Sequence, residues 1–88
     1  MSRRRAYNER TLGVIARFFQ ALDALMEDGT LRGFQTYCRL YGIDKRHLYA
    51  QKMDNGRGYF DVYWLMPMIE KYGISSDWLL FGKGRMRK

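Results

Sequence analysis

The sequence predicts an all-α domain of five helices with basic N- and C-terminal tails. Two observations carry that expectation. Apolar residues return at three- and four-residue steps along the chain, and no stretch alternates cleanly at period two. Glycines and capping residues then cut this periodicity into five pieces.

The first piece is the longest. From Thr11 to Asp28, Leu12, Ile15, Phe19, Leu22 and Met26 form one helical face. Val14, Phe18, Ala21 and Leu25 extend the apolar surface round a second flank, which predicts either burial by helices four and five or a homodimer through helix one. Gly29 ends this helix and Thr30 is placed to cap the next, whose stripe is Leu31, Phe34, Cys38 and Tyr41. Gly42 stops that helix, and Asp44 caps a third that runs to about Met53. "DNGRG" (54–58) reads as a turn. Asp61 is placed to cap a fourth helix with Val62, Leu65, Ile69 and Tyr72 on its inner face. Pro67 falls inside that pattern, so the helix either kinks there, turning Trp64 towards the surface, or begins only near Pro67. Gly73 ends it. Ser75 caps the fifth helix, "SDWLLF", with Ile74 and Leu79 as a hydrophobic staple, and Gly82 closes it.

Length and composition bound the function. The chain has 88 residues, nearly half of them apolar and fourteen aromatic, enough for one small packed domain. One cysteine cannot form an internal disulfide, and no apolar run reaches the roughly 18–20 residues that span a bilayer. "MSRRRAYNER" lacks the apolar stretch of a signal peptide, so a cytoplasmic protein with no membrane partner is expected. The net charge of +7 is unevenly placed. Basic residues gather in 1–10, 30–58 and 82–88, whereas 11–29 and 60–81 are net acidic. Two basic ends flanking a basic corner suit a polyanion. The expected division is a basic N-terminal arm (1–10), a folded domain (11–82) and a basic C-terminal tail (83–88).

The corner lies in "CRLYGIDKRHLY" (38–49). Two helices joined by so short a turn bring their backbones close, which calls for a small residue at Cys38 and a left-handed glycine at Gly42. Ile43 and Leu48 then point inward, and Lys45, Arg46, Tyr49, Ala50 and Met53 point out. The spacing of Cys38, Gly42 and Leu48 resembles the helix-turn-helix of lambda-repressor-like (Cro/repressor, XRE-type) DNA-binding domains. "YGISSDWLLFGKGRM" (72–86) is similar to the closing helix of the phage-repressor-type members. The resemblance spans roughly residues 30–86, and the family usually has alanine where Cys38 stands here.

The resemblance implies a five-helix lambda-repressor-like domain that binds double-stranded DNA, as a small transcriptional regulator of a phage or other mobile element. By position it implies DNA-facing roles for Lys45, Arg46 and Tyr49, then Ala50 and Met53, with Gln35 touching phosphate. His47 and Lys52 complete the exposed surface of the third helix, and Arg3, Arg4 and Arg5 reach phosphates from the arm. An arginine can pair bidentately with guanine, while a lysine or a tyrosine hydroxyl can take phosphate. The alternatives are an architectural or excision factor, or a protein-interaction module on the same fold (a phage structural or anti-repressor component).

Catalysis is not expected. The chain has no Ser/His/Asp or Cys/His set and no carboxylate pair placed to line a pocket, and "GKGRM" lacks the elements of a phosphate loop. Cys38 and the single histidine cannot make a zinc site. No cofactor, metal or small-molecule substrate is expected.

Overall fold

Asn8 opens the first helix, its side-chain oxygen accepting the Thr11 amide at 2.9 Å. The computed structural model describes residues 7–88 and is all-α, with five α-helices and one 3₁₀ turn among those residues. They are α1 (Glu9–Glu27), α2 (Phe34–Tyr41), α3 (Lys45–Met53), the 3₁₀ turn Val62–Trp64, α4 (Met66–Tyr72) and α5 (Ser76–Phe81). No described helix is long and apolar enough to cross a membrane.

α1 is the axis of the fold. Both of its apolar flanks are used: Ile15, Phe19 and Leu22 are buried from one, and Phe18, Ala21 and Leu25 from the other. At about 100° per residue the buried arc is about 160° wide, more than a helix lying on a single neighbour would bury. Phe18 shows why. Its ring meets Tyr37 of α2 at 5.9 Å, Trp64 at 6.0 Å and Phe60 at 6.4 Å. The flank on which a homodimer through helix one was expected is therefore largely consumed inside the chain, and the reason for expecting that dimer falls away.

Two capping assignments differ from the sequence reading. Thr30 does not cap α2, because its amide donates to the Asp28 carboxylate at 2.8 Å and is held in the preceding turn. α2 starts three residues later, after Gly33, and Leu31 is buried from the loop instead of from a helix. Asp61 caps only the 3₁₀ turn, so Val62 stands exposed. α4 begins at Met66 with Pro67 in its first turn, where the missing N–H costs nothing. Of the two outcomes that Pro67 allowed, the later start is the one found, and Trp64 is buried, not turned outward. In α5, Ser75 caps as expected (Trp78 amide, 3.2 Å) and Ile74 and Leu79 are wholly buried, whereas Leu80 and Phe81 are exposed.

The last residues are part of the fold. Ile74 and Arg87 form an antiparallel bridge, the Ser75 amide donates to the Met86 carbonyl at 2.7 Å, and the Lys88 amide donates to the Gly73 carbonyl at 3.1 Å. Lys83 is held too, its amide donating to the Asp77 carbonyl at 3.3 Å, so much of the segment read as a basic C-terminal tail is bound to the body of the fold. Arg87 reaches Asp28 at 2.6 Å, tying this end to the α1–α2 turn. The hydroxyl and amide of Thr30, then Arg87, hold the Asp28 carboxyl at about 2, against 3.8 ordinarily. A carboxyl whose folded value is depressed stabilises the fold above its unfolded value. Its contribution is lost as pH falls from about 4 towards 2. Thermal melts across that interval should show the midpoint falling, and Asp28→Asn should flatten the fall.

The corner forms as the spacing requires. Gly42 ends α2 at φ 69°, ψ 33°, and the Ile43 amide returns to the Cys38 carbonyl at 3.0 Å. Nothing lies within 4 Å of a Cβ placed on Gly42, so a substitution meets backbone strain alone. Gly42→Val should cost about 1–3 kcal/mol in chemical denaturation. Cys38→Ala should change little, since the thiol is buried and burial pushes its pKa up, keeping it protonated. Loss of activity from Cys38→Ala in an intact fold would reveal thiol chemistry.

Candidate nucleic-acid interface

α3 is fixed at both ends. At its start, the Asp44 carboxylate accepts the amides of Arg46 (2.8 Å) and His47 (3.3 Å), which hold the carboxyl below its usual range. At its inner side, Leu48 and Gln51 are wholly buried. The remaining face looks out. Lys45, Arg46 and Tyr49 are exposed, Met53 is 67% exposed, and Ala50 is half-buried between them. The Arg46 side chain is 87% exposed, its Nε 3.9 Å from Asp44. With water intervening so freely, that pair is weak and leaves the guanidinium available.

Tyr49 does not hang free. Its ring stacks on Phe34 at 5.9 Å, which joins the exposed face of α3 to the first turn of α2. Gln35 belongs to that same turn and shares a shallow depression with Cys38, Arg39, Ile43 and Lys45. A second depression next to it is lined by Arg32, Phe34, Gln35 and Arg39. Gln35, Arg39 and Lys45 are thereby brought together at the mouth of the corner. No side chain caps α2, whose N-cap is Gly33.

Gln51 organises the turn after α3. Its Nε2 donates to the Asn55 carbonyl at 2.6 Å, and its Oε1 accepts the amides of Tyr59 and Phe60, both at 3.0 Å. The turn so held places Tyr59 flat against His47, with ring centres 4.4 Å apart and planes 4° apart. Arg57 lies over the same tyrosine ring at 5.4 Å. His47 therefore belongs to a stack that extends the α3 surface sideways to a further cation. Lys52 turns the other way, its Nζ 3.7 Å from Asp23 of α1. Arg3, Arg4 and Arg5 lie outside the described residues.

Set against known protein families, curated proteins and solved structures, the chain matches none.

Sequence reasoning found the outward face of α3 and missed its supports. Gln51 carried a readable signal, because it falls on the inward stripe three residues after Leu48, and a buried amide side chain must find partners. Arg57 and Tyr59 carried none, since their place depends on how the turn folds back. Among the described residues no three His, Cys, Asp or Glu side chains gather as metal ligands.

Proposed function

We propose that the chain binds double-stranded DNA sequence-specifically, as a small repressor-like regulator of the helix-turn-helix kind. α3 enters the major groove, Arg46 reads a base edge, and Lys45, Gln35, Arg39 and Arg57 hold phosphates on either side. The observation that carries this reading is the arrangement of α3: one face anchored by Leu48 and Gln51, and the opposite face exposed, basic and rimmed by cations from two neighbouring segments. A groove about 12 Å wide admits one helix, and the residues beside that helix then face the two phosphate walls.

Binding to the DNA flanking the chain's own gene, measured against salt, tests the proposal. The three cations among these phosphate contacts, Lys45, Arg39 and Arg57, give a slope of log K on log salt of about −2.7 at about 0.9 per neutralised phosphate. Footprinting should show a protected site there. Salt-independent binding, or no protection, would reject it.

A protein-binding role on the same fold is favoured by one observation, the exposure of Val62, Tyr63 and Met66 beside α4. Under that role, substitutions at these three positions abolish activity and substitutions on α3 do not.

A further inference from the structure

The outward face of α3 is basic at its start and apolar further along. After Lys45 and Arg46 come Tyr49 (51% exposed), Ala50 and Met53 (67% exposed). Nothing within the fold covers Met53, and Tyr49 is braced by Phe34 in a position that leaves half of it open. A surface meeting only phosphate or water gains nothing from a methionine and an alanine here. The major groove does offer an apolar partner, the C5-methyl group of thymine, which alone among the four bases carries one.

Resting on the DNA-binding proposal, we propose that α3 selects a half-site in which a guanine read by Arg46 is accompanied by thymine two to three base pairs away. The thymine methyl packs against Ala50 and Met53. The spacing follows from helix geometry. Ala50 and Met53 lie four and seven residues beyond Arg46, about 6 and 10.5 Å along a helix rising 1.5 Å per residue. At about 3.4 Å per base step, these distances are about two and three base pairs. Neither position offers a hydrogen bond donor or acceptor suited to a base edge, so every base leaves its polar edge to water there, and thymine alone adds a methyl group for Ala50 and Met53 to cover.

Selection of the full chain on short duplexes with a randomised centre should enrich guanine with thymine at that spacing. Replacing the selected thymine by deoxyuridine removes the methyl alone and should weaken binding about fourfold, the worth of one buried methyl group. In Met53→Ala, whose exposed site leaves the fold intact, the thymine-to-deoxyuridine ratio should fall towards one. An enriched sequence without thymine at that spacing, or equal binding of thymine and deoxyuridine by the unaltered chain, overturns this inference and leaves the DNA-binding proposal standing. Failure to enrich any sequence overturns both.

Discussion

Trp64→Ala should cost about 3–5 kcal/mol, measured as a fall in the denaturant midpoint at unchanged slope. The indole is 2% exposed and meets Phe18 of α1 at 6.0 Å and Phe60 at 5.5 Å. Its backbone carbonyl accepts the Tyr37 hydroxyl at 2.6 Å, the bond that secures α2 to this turn. That phenol sits in the same apolar surroundings, and burial drives its pKa up, so it stays a donor. Trp64 thus sits where α1, α2 and the loop before the 3₁₀ turn converge. Small domains hold about 5–15 kcal/mol in total, so the variant should be marginally folded at ambient temperature. A loss below about 1 kcal/mol would mean that the three segments are held together elsewhere.

Much of this fold was legible because the signals are local. A glycine that must take a left-handed conformation ends α2, α4 and α5, and Asp44 and Ser75 cap the helices that follow. Each is a matter of a few adjacent residues. The misplaced features depend on what competes for each residue, and part of that competition comes from distant sequence. Thr30 looked like a cap, but Asp28 competes for its amide, and Arg87 from the far end of the chain supports that carboxylate. Whether Trp64 faces in or out was open, because it depends on whether Pro67 kinks the helix or begins it. The 3₁₀ turn absorbs the change of direction first and leaves the indole inside. Helix one looked over-supplied with apolar residues, because periodicity along one helix does not say how many neighbours surround it.

The candidate site divides in the same way. Which residues of α3 face outward follows from the inward pair Leu48 and Ile43, both buried as the corner requires. What stands beside them does not follow. The stack of His47 on Tyr59, the cation over it and the drawing of Lys52 towards Asp23 all depend on a turn and a helix whose positions no spacing in the sequence encodes. The same holds for Arg17, an ordinary surface residue by pattern. Its Nε and Nη2 donate to the carbonyls of Leu79 and Leu80 at 2.9 and 3.1 Å, completing the end of α5.

Arg46→Ala should weaken binding to the cognate site by about 1–3 kcal/mol, roughly 5- to 150-fold, and weaken binding to unrelated duplexes far less. The side chain packs on nothing and touches only the rim of Asp44, so its removal should leave the melting temperature almost unchanged. The loss is then one of recognition. Arg46→Lys keeps the charge but forfeits the planar fork, and should retain the salt slope while losing most of the discrimination. Arg57→Ala should do the reverse, lowering affinity alike on all sequences and flattening the slope by about 0.9.

The ratio of cognate to scrambled affinity, measured for the unaltered chain, Arg46→Ala and Lys45→Ala at two salt concentrations, tests the role of α3 most directly. If α3 reads the groove, the ratio collapses in Arg46→Ala at both salt concentrations, whereas Lys45→Ala lowers both affinities and mainly alters their dependence on salt. An unchanged ratio in both variants would contradict the account and leave the basic corner a solvated face or a surface for another protein.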